Sequence, residues 1–417
     1  MEGSGLLLTI GLVLAIALVA LPLSKLARLP VMVVLVLLGI VAGPSALGIV
    51  EVPIDSLGAE LLFTLGVALI LFHGGMGISL RVIRRTAVGL LLLAGPGVMI
   101  TAGVVAAAVA VFFGAPWQVG LLAGAVLGAT DPAILIPLFD RLGLRPRVAQ
   151  TVIAESALND PMAAIATVTV TGIVVAGGAV GGGLDIAGGP LADLVRAIAI
   201  GVAFGLAGGA LIALLLSNRR FGILRESVAA TLLAIVAIEY VESEVFGGSP
   251  YLAAFIAGLV VGNKDLLRVD HDHAQEQALE TYTTQTVDIV VLAIFVILGL
   301  NLDLGLLYEN LWAGLAVMAV FILVARPLTV GICLGLDRRA GWTLREAGFI
   351  AWCRETGVVP VALAGTLLAD GVPGAQLVAV LVTFAILATL LLQATTAGWA
   401  ARRLGLLDAP PPVDPGT

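Results

Sequence analysis

VIAESALNDPMA, residues 152–163, sets Glu155, Ser156, Asn159 and Asp160 inside an otherwise apolar run, and Met162–Val175 follows without a single charge. On a helix, residues four apart share a face. Ser156 therefore stacks on Asp160, and Glu155 on Asn159, in a polar stripe about 100° wide. Pro161 removes a backbone donor and frees a carbonyl one turn back, near Ala157. Carboxylates, a hydroxyl, an amide and a loosened carbonyl make an oxygen-rich wall, the ligand type that hard cations take.

Composition says what surrounds that wall. The 417-residue chain is 60% hydrophobic and 12% charged, where a soluble domain carries roughly 25% charge. That much apolar surface requires a bilayer as solvent and an all-α polytopic membrane protein. The net charge of -7 matters less than its distribution. Cys333 and Cys353 lie in apolar runs, so no disulfide framework is expected. The first apolar run has no basic residue before it, and Lys25 and Arg28 follow it, so it reads as a retained span rather than a signal peptide.

At about 20 residues per crossing, apolar length predicts thirteen spans: 5–23, 29–43, 57–75, 87–113, 117–139, 148–176, 191–216, 224–244, 249–262, 283–300, 311–336, 345–369 and 374–401. Eighteen of the 21 Lys and Arg residues fall in alternate connections, all on one side. The positive-inside rule then places the N-terminus outside and the C-terminus in the cytoplasm of a cell membrane. Residues 263–285 read as a cytoplasmic amphipathic linker whose His271 and His273 are solvated rather than metal-bound. The Pro-rich tail, 404–417, reads as disordered.

Of the three exceptions, Arg196 can snorkel from an outer span end, whereas Arg326 and Arg354 lie well inside spans eleven and twelve. Asp131 in span five, Glu155 and Asp160 in span six, and Glu355 in span twelve share that depth. A charge there costs roughly 2.5–3.5 kcal/mol, so such groups pair, line a wet cavity or act. Glu239 and Asp288 lie nearer span ends, from which both could reach water. Pro132 pushes Asp131 out of helical geometry, and Thr356–Pro360 breaks span twelve in the same way. Each half of the chain, spans one to six and eight to thirteen, has its broken helix fifth. That layout predicts two inverted six-helix repeats with crossed discontinuous helices at spans five and twelve.

The stretch ATDPAILIPLFDRLGLRPRVAQTVIAESALNDP (129–161) resembles the signature region of monovalent cation:proton antiporters, most closely the NhaP-type sodium/proton exchangers. LLGIVAGPSALG (37–48), LFHGGMGISLRVIRR (71–85), SPYLAAFIAGLVVGN (249–263) and FVILGLNLDL (295–304) extend the resemblance over nearly the whole chain. It implies that Asp160 takes either cation or proton, and that Asp131, the Thr130 carbonyl, Ser156 and Glu155 complete the shell of a bound Na⁺. It implies that Asn159 braces the crossing and Arg326 pairs with Glu155. It also implies one transmembrane antiporter domain (1–403), built from a core (roughly 87–180 and 305–403) and a dimerisation scaffold (roughly 1–86 and 191–304), in a homodimer. This chain departs from the family in span twelve. Where the family carries Gly-x-Arg-Gly after a Trp, Trp352-Cys353-Arg354-Glu355-Thr356-Gly357 places the Arg two positions early and follows it with an acid.

The expected activity is exchange of Na⁺ or Li⁺ for H⁺, without cofactor, nucleic acid or enzymatic chemistry. Only the protonated and cation-bound sites cross cheaply, because an empty anionic site would carry bare charge through a low dielectric. With Asn159 where a second acid could stand, one carboxylate titrates and exchange is 1:1. The membrane potential, about 2.3 kcal/mol per charge per 100 mV, then drives nothing. K⁺/H⁺ exchange is the alternative within the class. An intramembrane aspartyl protease built on Asp131 and Asp160 fits poorly beside buried arginines and Asn159. A passive channel fits poorly with polar groups clustered at one depth.

Overall fold

The computed structural model describes residues 3–27, 29–53, 56–80, 86–130, 139, 142–175, 190–217, 223–263 and 273–407. Their regular structure is helical, with one isolated antiparallel bridge between Leu144 and Leu407. In chain order the helices are α1 (Gly3–Ala27), α2 (Val31–Ala42), α3 (Leu57–Met76), α4 (Ala87–Ala94), α5 (Pro96–Phe113) and α6 (Trp117–Val126). There follow α7 (Pro146–Val175), α8 (Pro190–Leu215), α9 (Val228–Val245), α10 (Pro250–Gly262), α11 (His273–Leu300) and α12 (Leu304–Glu309). The last are α13 (Leu311–Val320), α14 (Arg326–Leu336), α15 (Leu344–Trp352), α16 (Val358–Ala369), α17 (Ala375–Ala388) and α18 (Thr395–Leu404). Eight of the apolar runs among the described residues are long enough to cross a bilayer, and α2, α6, α10 and α16 are shorter apolar helices.

Local chemistry sets many of the boundaries. Ser56, Ser249, Asp303 and Thr343 cap the starts of α3, α10, α12 and α15, each accepting a backbone N–H that the helix cannot satisfy internally. Glu346 answers Thr343 in a full capping box. Gly95-Pro96 splits the fourth predicted span into α4 and α5, since Pro starts a helix more easily than it continues one. Pro327 has no N–H to give, and the ladder before it widens into a π-helical turn, Phe321–Ala325, between α13 and α14. A second π-helical turn, Thr389–Ala394, joins α17 to α18 with no Pro present.

Two sequence expectations are corrected. Residues 273–285 are not a linker: they form the first turns of α11, which runs unbroken to Leu300, while 264–272, with His271, lie outside the described residues. The tail is also ordered further than expected. Gly405 takes the left-handed conformation that ends α18 (φ 67°), and Arg145 N–H donates to Leu406 O (2.9 Å). Residues 408–417 lie outside the described residues.

α3, α8, α9, α10 and α11 pack together, with α1 and α2 against α11. α4 to α7 pack with α13 to α18, and α16 also touches α3 and α11. The tightest seam joins α3 to α10. A Cβ on Gly258 would stand 1.9 Å from Phe72 O, and Cβ atoms on Gly75 and Gly262 would each stand 2.2 Å from a carbonyl oxygen across the seam. These are backbone-to-backbone contacts of the kind small residues permit between membrane helices. Gly258→Val should therefore lower the thermal midpoint of the purified protein, by the equivalent of about 1–3 kcal/mol or more. Gly172→Ala, where no atom lies within 4 Å of the added Cβ, should leave it unchanged. Equal midpoints for the two variants would refute the seam.

Candidate ion-binding site

α7 delivers the opening motif on one continuous helix, with Pro161 inside it. Glu155, Ser156, Asn159 and Asp160 are all buried, the most open being Asp160 at 8% exposure. α6 stops at Val126, and the chain leaves helical geometry before Thr130. That break frees Thr130 to address α7. Its N–H donates to Asp160 Oδ1 (3.0 Å), its hydroxyl donates to Ser156 Oγ (2.9 Å), and the same oxygen accepts from Asn159 Nδ2 (2.9 Å). One residue thus fixes three members of the α7 stripe. Thr130 enters this site through its N–H and hydroxyl, whereas the resemblance implied its carbonyl. Asp131, expected beside it, lies outside the described residues, as do Pro132 and Pro137.

Behind the stripe, Arg326 at the start of α14 grips Glu155 with both ends of its fork, Nη1 to Oε1 at 2.5 Å and Nη2 to Oε2 at 2.7 Å. Arg326 Nη2 also donates to Ile350 O (3.0 Å), in the last turn of α15. The π-helical turn and Pro327 bring this guanidinium to that junction. Span twelve breaks at 353–357, between α15 and α16. Pro360 sits in the first turn of α16, where a missing N–H costs nothing. Arg354, inside the break, donates from Nη2 to Leu127 O (2.7 Å) and Gly128 O (2.8 Å), just past the end of α6. Its guanidinium carbon stands 5.1 Å from the Phe321 ring centroid, in cation–π range. Glu355 and Thr356 are buried in the same break.

The two arginines play matching parts. A half-helix ending inside the membrane leaves carbonyls unpaired and a partial negative charge. Arg354 meets that end of α6, and Arg326 meets that end of α15. The early Arg of this chain is thus bonded to the broken helix of the other half, and Arg354–Glu355 need not pair as neighbours.

Sequence reasoning missed what holds the span-twelve break open. Thr356 N–H donates to Thr389 Oγ1 (3.0 Å), Gln393 donates to Trp352 O (2.7 Å), and Trp352 Nε1 donates to Thr396 Oγ1 (2.9 Å). All three acceptors or donors on span thirteen lie in or beside its π-helical turn. Their spacing, 389, 393 and 396, is helical, and that stripe was the available signal. Chemically, the site offers a carboxylate and two hydroxyl oxygens on Asp160, Ser156 and Thr130. The adjacent full charge of Glu155 is already engaged by Arg326.

Removing one partner of a buried pair strands the other, at about 3–5 kcal/mol. Arg326→Met should therefore depress thermal stability strongly. Adding Glu155→Leu to it should restore much of the loss, a non-additivity read from melting curves of the two singles and the double. Strictly additive losses would exclude the pairing.

The whole arrangement has close parallels. The family model of the transmembrane sodium/hydrogen exchangers matches residues 12–403. The chain is 33% identical over 405 residues to the K(+)/H(+) antiporter NhaP2 of Shewanella sp. (strain MR-4), covering 96% of this chain and 67% of the relative. It is 29% identical over 375 residues to Na(+)/H(+) antiporter 1 of Methanocaldococcus jannaschii, covering 86% and 82% of the two chains. The structure of the sodium proton antiporter MjNhaP1 from the same organism at pH 8 superimposes with a TM-score of 0.81 at 26% identity, over 96% of this chain and 99% of that one. This membrane protein belongs to the transmembrane sodium/hydrogen exchanger family, as an NhaP-type monovalent cation:proton antiporter.

Proposed function

We propose that the chain exchanges Na⁺ or Li⁺ for H⁺, one for one, with both ions competing for Asp160. The observation that carries this reading is the Thr130 knot. It holds Asp160, Ser156 and Asn159 at the end of a broken helix. Asp160 is the carboxylate of that knot, Ser156 and Thr130 add neutral oxygens, and Asp131 completes the shell. Asn159 spends its amide on Thr130 and carries no proton. Glu155, paired with Arg326, is a structural charge. Arg354 and Glu355 belong to the frame of the crossing. With one exchangeable carboxylate, the loaded and protonated sites are both neutral, and each can pass the low-dielectric barrier that stops the empty anion.

The wider frame of this proposal is thirteen crossings in two inverted repeats, the N-terminus outside and the C-terminus in the cytoplasm. The core comprises roughly 87–180 and 305–403 and moves against a scaffold of roughly 1–86 and 191–304, through which two copies dimerise. The heavier packing of α3 with α8 to α11, and of α4 to α7 with α13 to α18, supports this division, with α7 and α16 bridging the two groups. The alternation of basic loops supports the orientation.

K⁺/H⁺ exchange is the second reading, favoured by the name of the Shewanella relative, a K(+)/H(+) antiporter. Proteoliposomes with a trapped pH dye separate the two. External NaCl, LiCl or KCl is added with and without a voltage clamp, for wild type and Asp160→Asn. The expected result is a Na⁺- or Li⁺-driven pH change that ignores voltage and falls to background in the variant. A response to KCl alone selects the second reading. Full activity in Asp160→Asn removes the site from α7, and voltage-dependent flux refutes the 1:1 stoichiometry.

A further inference from the structure

Glu239 lies outside the ion site and takes no part in the exchange proposed above. α9 presses it onto α8: a Cβ added to Gly208 would stand 2.1 Å from Glu239 Oε2. The absence of a side chain at Gly208 is what makes room for the carboxyl. Glu239 is 4% exposed, so it does not reach water from a span end as its position in the sequence suggested. Neither of its oxygens has a hydrogen-bond partner. Ser243, one turn further along α9, is fully buried with its hydroxyl also unpartnered.

Among the described residues an ionised carboxylate in this position has nothing to balance it, and an unpaired charge out of water is among the costliest things a fold can contain. Arg196 is the sole Lys or Arg on α3, α8, α9, α10 and α11. Its guanidinium stands against Gly247, within 3.5 Å of a Cβ built there, two turns past Glu239 along the chain. His73 and Glu60 of α3, Tyr251 of α10, and Asp288 and Glu280 of α11 make no hydrogen bond to Glu239 either. Among the described residues nothing supplies the compensating charge, which leaves an ion from solution. An alkali cation asks for a shell of several oxygens, and the only other buried polar side chain within a turn on α9 is Ser243. A proton asks for none.

We propose that Glu239 is a second proton-binding site, set in the packing of α8 against α9 and separate from the ion site. The bound proton makes the carboxyl neutral, and the neutral group lets the two helices close over Gly208. The sign of the linkage follows. Raising the pH strips that proton and leaves a bare charge in the packing, so stability falls as pH rises.

The test uses the purified full chain. Infrared difference spectra of wild type against Glu239→Gln at neutral pH should show loss of a protonated-carboxyl stretch. Between pH 6 and 9 the thermal midpoint of the wild type should fall further than that of Glu239→Gln, by at least about 2 °C. Loss of carboxylate bands instead, or parallel pH profiles, overturns the proposal. Carboxylate bands that respond to NaCl or KCl at constant ionic strength would make this an alkali-cation site, which also overturns it. Glu239→Met serves as a second neutral replacement, and failure of both variants to fold would show that charge is required there. Neither readout involves transport, so this site and the exchange mechanism stand or fall separately.

Discussion

Two guanidinium groups in a low-dielectric interior are the constraint around which this fold is arranged. Arg326 and Arg354 are 2% and 4% exposed, and such charges survive in a membrane by pairing with acids or backbone carbonyls. Arg326 finds Glu155 and the end of α15. Arg354 finds the carbonyls that follow α6. Each positive group also solves a second problem, because a helix that stops inside the bilayer leaves carbonyls that no water can satisfy. The breaks and the buried arginines therefore explain one another.

From that junction the geometry of the candidate ion site follows. Once α6 ends at Val126, the backbone N–H of Thr130 is free to reach across to Asp160 rather than back along a helix. The hydroxyl of the same residue ties in Ser156 and Asn159. Glu155, in the same stripe, faces Arg326 instead. α7 thus carries two acids five residues apart that differ in what each neighbouring element offers, an arginine to Glu155 and a backbone N–H to Asp160. The departure from the family pattern in span twelve is accommodated there too. Arg354 uses its early position to span to the other broken helix, and span thirteen supplies Thr389 and Gln393 to hold the break.

The irregular segments have identifiable causes where a proline is present and none in the local sequence where it is absent. Gly95-Pro96 and Pro327 explain the split of span four and the π-helical turn before Arg326. The turn at Thr389–Ala394 has no such cause. Its polar residues bond to the neighbouring break, so the distortion is a tertiary effect.

Much of this was legible in the residues alone. Apolar run length and the side-switching of basic residues depend on the solvent, not on which helix meets which, and they yielded the membrane class, the long spans and the short second and ninth ones. The spacing of Glu155, Ser156, Asn159 and Asp160 was equally local, because helical periodicity puts them on one stripe. The ends of spans were misjudged at 273–285, where polar composition masked a continuing helix, and at 404–407, where the Pro-rich stretch that follows masked a packed turn. The contacts between elements lay beyond local spacing: Thr130 acting through its N–H, Arg354 bonding to α6, the polar stripe of span thirteen, and the burial of Glu239 against Gly208. Each of these depends on the approach of segments far apart in the chain, and only the packing of helix on helix decides which polar group meets a partner and which is left without one.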